Sequence, residues 1–228
     1  MDYKSSEFSL SNETLTKVKE GNEASLNHSK CIPFQSNKGF LLEGIFTKIE
    51  CEAMLNNIKE IQAEKTRGYD KDHGMRTVNV SKELAEILQS RVESYLPKII
   101  RRPPAAIIND QTDDIDWHYK CVSDKFKLIS YEVGQNFPPH FDGGRNVDNQ
   151  HMSLLSVLVY LNDGGAQSYT GGDFRFLKKN GPEQYSVLES VVPYAGHVIV
   201  FPHGTLHDST AITNGVKYVI RTDIMYGV

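Results

Sequence analysis

Apolar and polar positions divide the chain into three stretches with different periodicity. Residues 1–30 are rich in Ser, Asn, Glu and Lys and have few apolar positions, so we expect a disordered tail there. Apolar residues then recur at helical spacing between about residues 45 and 100, and short β-type runs fill residues 120–228. We therefore predict one domain over residues 31–228, with helical support at 45–100 and a barrel at 120–228.

Two amphipathic helices are predicted in the supporting stretch. Thr47 and Glu50 have the spacing of a capping box, and Ser81 has the position of an N-cap. The apolar faces behind these caps are Cys51, Met54, Leu55, Ile58 and Ile61 in the first helix, and Leu84, Ile87, Leu88, Val92 and Leu96 in the second. Residues 65–80 and 101–120 are polar or proline-containing, and we predict loops for both.

Strands are predicted from residue 125 onward, where β-branched and aromatic runs are separated by Gly, Pro, Asn or Asp. The predicted strands span residues 126–133, 153–161, 173–177, 185–192, 197–201 and 216–226. The second of them is apolar at nearly every position, which indicates a strand buried on both faces. Helices followed by many short strands predict a mainly β fold with flanking α-helices, built as a jelly-roll barrel.

Composition excludes several classes of protein. A formal net charge of −4 and a pI near 6.1 argue against a protein that binds nucleic acid through a basic face. We find no apolar run long enough to span a membrane and no secretory signal pattern, so we expect a cytoplasmic protein. The 3 cysteines fit reduced thiols better than a disulfide framework. The oligomeric state is left open.

Two histidines and one acid form the candidate metal site. His140 and Asp142 lie two positions apart, so on a strand both side chains project to the same side, and His207 follows on a distant predicted strand. Two imidazoles and one carboxylate are the ligand set of non-haem iron(II) oxygenases. With 8 His and 29 acidic residues in 228, a His-x-acid triplet is expected about once by chance, so its surroundings must support it. His203 is the rival third ligand.

Lys217 is the candidate partner for a carboxylate that reaches across the barrel. It shares one face of the last predicted strand with Val219 and Arg221, and two cations on an otherwise apolar strand require partners. If residues 214–215 formed a two-residue hairpin turn, Lys217 and His207 would lie on opposite faces. We therefore predict an odd-length loop or a compensating bulge.

The sequence resembles the 2-oxoglutarate- and iron(II)-dependent dioxygenases, and most closely their prolyl 4-hydroxylase-like branch. The resemblance covers about residues 125–226. Its segments are 131–142, with Tyr-x-x-Gly leading into His-x-Asp, followed by 160–163, 171–176, Pro193, Gly196, 201–202, 207–208 and 215–218. Two positions depart from the branch: Phe137 replaces an expected Tyr, and Phe174 replaces a usual Thr. Both changes make the expected pocket more apolar.

The resemblance implies a double-stranded β-helix that holds Fe(II) through His140, Asp142 and His207. It further implies that 2-oxoglutarate is the cosubstrate and that its distal carboxylate reaches Lys217. Tyr131 corresponds in position to a tyrosine that hydrogen-bonds the cosubstrate, Arg221 is a weaker candidate for the same role, and ascorbate is a candidate accessory reductant. No catalytic side chain is expected beyond the metal ligands.

The resemblance also implies hydroxylation of an aliphatic carbon, with a protein or peptide side chain such as proline as the favoured substrate. The alternatives are a free amino acid or other small metabolite, a metal-binding jelly-roll protein without oxygenase activity, and a zinc hydrolase on the same ligands. Demethylation of nucleic acid is disfavoured, because Thr213 and Val219 stand where that branch has arginines.

Three loops, residues 65–80, 101–120 and 143–151, are expected to face the substrate. Trp117 and Arg145 are the candidate substrate contacts within them. For Trp117, a role as loop anchor is an equal alternative, and for Arg145 a solvated surface position is the alternative.

Overall fold

The computed structural model describes residues 6–7, 13–14, 16, 18, 29–64, 69–70, 73–102 and 114–228. Its strands are β1 (Ser6–Glu7), β2 (Lys30–Pro33), β3 (Phe40–Glu43), β4 (Tyr69–Asp70), β5 (Gly74–Val80), β6 (Ile99–Arg102), β7 (Ile115–Val122), β8 (Lys125–Tyr131), β9 (Phe137–His140), β10 (His151–Tyr160), β11 (Tyr169–Gly171), β12 (Phe174–Gly181), β13 (Gln184–Val191), β14 (Val198–Pro202), β15 (His207–Ser209), β16 (Ile212–Gly215) and β17 (Lys217–Gly227). The two long helices are α1 (Lys48–Glu64) and α2 (Lys82–Val92).

The strands form a large sheet, a smaller four-stranded sheet and a two-stranded pair of β11 with β16. The large sheet has the order β1-β5-β8-β17-β10-β14-β3-β2, while the smaller sheet has the order β13-β12-β15-β9. All the pairings within these two orders are antiparallel except that of β1 with β5. A jelly-roll-type arrangement of two sheets is therefore confirmed, and each of the six predicted strands is present with boundaries shifted by a few residues.

Both predicted helix starts are confirmed. The Thr47 amide donates to Glu50 Oε2 at 2.6 Å and the Glu50 amide donates to Thr47 Oγ1 at 3.3 Å, which completes the capping box. Ser81 caps α2 by accepting a hydrogen bond from the Leu84 amide at 3.2 Å. Glu50 also forms a fully buried ion pair with Arg91 at 2.7 Å, so the same carboxylate joins α1 to α2.

Alternation along β10 places two different cores on the two faces of the large sheet. Leu155, Val157 and Val159 pack in the cluster that contains the apolar faces of both helices. Leu158 and Tyr160 belong instead to an aromatic cluster shared with the smaller sheet. Helices cover one face of β10 and the smaller sheet covers the other, so both faces are buried. This explains why β10 is apolar at nearly every position.

Two of the predicted loops contain strands, and those predictions were wrong. Part of residues 65–80 is β5, which pairs with β8 over Met75–Val80, and the ends of residues 101–120 belong to β6 and β7. The polar character of β5 concealed it: Thr77 and Asn79 are buried, so burial does not follow the usual alternation of apolar residues. Residues 65–68, 71–72 and 103–113 lie outside the described part of the chain.

Most of the predicted tail also lies outside the described residues. Within it, β1 pairs with β5 and Val18 is fully buried in the main core, so these positions pack against the domain. The large sheet likewise draws β2, β3 and β5 from before residue 120. None of the helices in the described ranges has both the length and the apolar character needed to cross a bilayer.

The predicted hairpin at residues 214–215 does not form. β16 pairs with β11, whereas β17 pairs with β8 and β10. The chain thus leaves one sheet and enters another at Val216, so the parity of a turn does not determine which way Lys217 points. Lys217, Val219 and Arg221 nevertheless share one face, as predicted, and that face lines the same cavity as His207.

Candidate metal centre and cosubstrate cavity

The three predicted ligands meet at one point in the smaller sheet. His140 ends β9 and His207 begins β15, and the two residues are direct antiparallel partners. Asp142 follows β9 by two positions and places one carboxylate oxygen 3.7 Å from His140 Nε2 and the other 3.9 Å from His207 Nε2. One ligand atom from each residue lies within 4.8 Å of the others, which is the spacing a single bound ion requires.

Backbone carbonyls orient both imidazoles. His140 Nδ1 lies 2.8 Å from the Pro138 oxygen and His207 Nδ1 lies 2.9 Å from the Thr205 oxygen. A carbonyl can only accept, so each Nδ1 carries the proton and each Nε2 presents a lone pair toward the centre. Burial lowers the pKa of His207 to about 4, which keeps its ring neutral. His140 Nε2 is buried and accepts or donates no hydrogen bond within the described part of the chain. These residues fit a divalent cation.

Asp142 is held by two donors on its second oxygen. Ser156 Oγ donates to Asp142 Oδ2 at 2.5 Å, and Arg221 Nε lies 3.3 Å from the same oxygen. Burial acts to raise the pKa of Asp142, but hydrogen bonding and the charge of Arg221 outweigh it and lower the pKa well below the usual range. With Oδ2 engaged in this way, Oδ1 is the oxygen available to a metal.

His203 is not part of the ligand cluster. Its Nδ1 lies 2.8 Å from Ser156 Oγ and its Nε2 lies 2.9 Å from Ser153 Oγ, so both ring nitrogens are engaged. Because Ser156 gives its only proton to Asp142, His203 Nδ1 must be the donor in the first contact. A bulge in β10 between Ser153 and Leu155 turns two serines at odd spacing toward the same ring.

A cavity extends from the candidate metal ligands into the space between the sheets. Lys217 lies on its lining and is buried, with Nζ 2.5 Å from the Gly172 oxygen and 2.9 Å from Ser209 Oγ. No acidic side chain in the described ranges forms an ion pair with this ammonium, and burial lowers its pKa to about 7. Gly172 has φ +69, and a Cβ there would lie 3.1 Å from the Lys217 Cδ and 2.5 Å from Ile212 Cδ1, so glycine is required.

Aromatic rings form the walls around the ligands. The Phe137 ring lies 3.7 Å from that of His140, and the Phe174 ring lies 5.3 Å from that of His207. The Tyr131 ring lines the cavity 5.8 Å from Lys217 Nζ. The two phenylalanines that depart from the prolyl 4-hydroxylase pattern therefore both lie beside candidate metal ligands and surround them with apolar surface.

The other candidate residues lie in different surroundings. Arg221 lines the cavity but is engaged by Asp142 and, at 3.1 Å, by Asp223. The expectation that Trp117 lies in a substrate-facing loop is wrong, because it belongs to β7 and is buried in the main core. Arg145 lies in a loop, as expected, but it lines a separate groove with His151.

Sequence reasoning did not identify the residues that hold the site in place. Ser153 and Ser156 interrupt the apolar run of β10, and a polar residue in a doubly covered strand was the signal that could have revealed them. Arg76 gave no such signal, because its strand was not predicted. Its guanidinium lies 4.2 Å from the centre of the Phe137 ring.

Comparison with known proteins agrees with this geometry. Residues 126–222 match the family model of the 2OG-Fe(II) oxygenase superfamily. A PKHD-type hydroxylase of Synechococcus sp. (strain JA-2-3B'a(2-13)) is 27% identical over 92 residues, which are 40% of this chain. The match covers only 38% of that relative's own length.

Two solved structures share the fold. The viral collagen prolyl hydroxylase of Paramecium Bursaria Chlorella virus-1, solved with 2OG, has a TM-score of 0.53 and 18% identity, covering 83% of this chain and 96% of that one. A Trichoplax adhaerens prolyl hydroxylase in complex with a hypoxia inducible factor peptide has a TM-score of 0.52 and 14% identity, covering 93% and 92%. The predicted double-stranded β-helix is confirmed.

Proposed function

Since its barrel segment matches the 2OG-Fe(II) oxygenase superfamily, we propose that the chain is an Fe(II)- and 2-oxoglutarate-dependent hydroxylase. The observation that carries the proposal is the joint placement of the ligand cluster and Lys217 on one cavity. Fe(II) would be held by His140 Nε2, His207 Nε2 and one oxygen of Asp142, a set that leaves further positions for ligands.

Lys217 would bind the distal carboxylate of 2-oxoglutarate. Among the described residues its ammonium has a carbonyl and a hydroxyl as hydrogen-bond partners, and a buried cation in such a position is stabilised by an anion. Tyr131 lies beside Lys217 and would complete the end of the cosubstrate pocket. Bound iron and 2-oxoglutarate would supply an oxidation by dioxygen in which one oxygen atom enters succinate, formed with loss of carbon dioxide, and the other becomes the hydroxyl group on an aliphatic carbon. Phe137 and Phe174 would keep bulk water from the ligands.

The relatives favour a protein or peptide side chain such as proline as the substrate. The two solved structures are described as prolyl hydroxylases, and one of them holds a peptide. A free amino acid or another small metabolite is the alternative. Ascorbate is proposed as an accessory reductant because the resemblance to 2-oxoglutarate-dependent dioxygenases implies it.

Iron-dependent release of succinate from 2-oxoglutarate tests the proposal. Purified protein supplied with Fe(II) should release succinate, and His207→Ala should abolish the release while His203→Gln retains it. A metal-binding protein without oxygenase activity, or a zinc hydrolase, would release no succinate, and that result would refute the proposal. A screen for a gain of one oxygen in peptides and amino acids then identifies the substrate.

A further inference from the structure

Three cations lie side by side on the cavity face of the large sheet. Arg221 on β17 is the direct partner of Lys127 on β8. Lys127 shares its face with Ile129 and Tyr131, which both line the cavity. On the next strand, Arg76 is the direct partner of Ile129. Pairing of β5, β8 and β17 thus gathers these charges at one side of the metal site.

Only one of the three is neutralised by an acid in the described ranges. Arg221 contacts Asp142 and Asp223, at 3.3 and 3.1 Å. In the proposed function the site holds a divalent cation and dianionic 2-oxoglutarate, whose charges cancel. The negative charge of Asp142 and the positive charge of Lys217 then cancel as well. Arg221 is then balanced by Asp223, and Arg76 and Lys127 have no acid of the described residues to balance them.

The guanidinium of Arg76 is fixed in place and incompletely used. It lies over the Phe137 ring, donates from Nη2 to the His73 oxygen at 3.0 Å and hydrogen-bonds Tyr131. Its Nε is buried and has no hydrogen-bond partner among the residues that the structure describes. A carboxylate suits such a fixed guanidinium, because its two oxygens can accept from two adjacent N–H groups. Phe137 in turn packs on the ligand His140, so this position adjoins the metal site.

Lys127 lies nearer the solvent than Arg76 does. Its side chain is exposed, and burial of its stem together with the charge of Arg221 lowers its pKa. A cation placed among other cations attracts anions from solution and would hold one end of a ligand that enters the cavity.

We propose that the substrate carries a carboxylate that Arg76 and Lys127 bind while its reacting carbon faces the metal site. This inference rests on the proposed function and makes it narrower, since an uncharged residue within a peptide would leave both cations unsatisfied. The carboxylate belongs either to a free amino acid or related small acid, or to an acidic residue of a peptide.

A panel of matched compounds tests this specificity. Succinate release above the level without substrate is measured for free amino acids and small dicarboxylic acids against their carboxamides, and for proline-containing peptides with Glu against the same peptides with Gln. We expect kcat/KM to be at least about tenfold higher for the acids, as charge-assisted hydrogen bonds imply. The free acids and the peptides separate the two sources of carboxylate.

Variants assign the effect to the two cations. Arg76→Met and Lys127→Met should each raise the KM for the preferred acid about tenfold. In Lys127→Met the affinity for 2-oxoglutarate should stay within about twofold, whereas Arg76→Met also removes a contact with Tyr131, so its KM for the acid is compared with its own 2-oxoglutarate affinity. Arg76→Lys should restore part of the loss, and Lys178→Met, which removes an exposed charge outside the cavity, should have no effect.

The outcomes separate the inference from the proposed function. If wild-type protein still binds 2-oxoglutarate, three results would overturn the inference alone. They are a preference for the neutral compounds, no stimulation of succinate release by any acid, and an unchanged KM in both Met variants. Failure of the wild type to bind 2-oxoglutarate in the presence of Fe(II) would overturn the proposed function and the inference together.

Discussion

Binding of 2-oxoglutarate should take up a proton at Lys217. Burial lowers the pKa of this lysine from 10.5 to about 7, so the cavity without cosubstrate favours the neutral amine. The shift corresponds to a free-energy penalty of roughly 4 to 5 kcal/mol on the ammonium in the cavity relative to the ammonium in water, at about 1.4 kcal/mol per pH unit. A carboxylate beside the nitrogen favours the ammonium instead, and the pKa rises again on binding.

The uptake follows from these pKa values. At pH 8 about a tenth of the empty protein carries the proton, so binding should take up about 0.9 proton, and at pH 7 about half a proton. Because the pKa of the complex is the higher one, affinity should fall about tenfold for each pH unit above 7 and level off below it. Calorimetric titration of the metal-loaded protein in two buffers with different ionisation enthalpies measures the uptake directly.

Two replacements of Lys217 make the assay specific. Lys217→Arg keeps a permanent charge, so it should bind 2-oxoglutarate without proton uptake, whereas Lys217→Met should bind it poorly at every pH. The lowered pKa also costs the empty protein stability as the pH falls from 10.5 toward 7, and Lys217→Met should remove that loss. Proton uptake below about 0.2 at pH 8, or uptake in Lys217→Arg equal to that of wild type, would refute Lys217 as the group that takes up the proton.

Three further substitutions test the supporting contacts. Ser156→Ala removes a hydrogen-bond donor from the Asp142 carboxylate and should weaken Co(II) binding about tenfold, while Ser156→Thr should preserve the affinity. Equal Co(II) affinity of Ser156→Ala and wild type in a metal titration would contradict this role of Ser156. Glu50→Gln breaks the buried pair with Arg91 and should cost roughly 3 kcal/mol in denaturant unfolding, whereas the exposed Glu52→Gln should cost almost nothing, and equal effects would refute the difference. Burial lowers the pKa of His203 to about 4, so stability should fall as the pH drops from 6.5 to 4, and a His203→Gln variant with the same slope in acid unfolding would exclude this origin.

The candidate metal ligands and Lys217 could be picked out from the sequence because each belongs to a local pattern. A His-x-Asp pair and a lysine on an apolar strand can be recognised without knowing which strands pair, and the structure places both on one cavity. The path between them was not predictable. The expected hairpin failed because β16 and β17 belong to different sheets, and nothing in residues 214–215 distinguishes that crossing from a turn.

The contacts around the ligands depend on tertiary structure that periodicity does not report. Ser153 and Ser156 reach the same imidazole only because β10 bulges between Ser153 and Leu155. Trp117 was assigned to a loop because Pro103 and Pro104 precede it and gave no indication of the strand that follows. The Trp117 side chain is buried because β7 pairs with β6 and β17, and the pairing with β17 joins residues far apart in the sequence.

The cationic side of the cavity shows most clearly what pairing adds to sequence. The net charge of −4 gives no indication of it, because Arg76, Lys127 and Arg221 come from three separate segments. They become neighbours through the registers of β5 with β8 and of β8 with β17. A shift of one residue in the first register would turn Arg76 to the opposite face of the sheet and place Thr77 beside the cavity. The specificity proposed for this protein is therefore a consequence of strand register, and variants that alter the pairing of β5 should lose it while retaining the metal ligands.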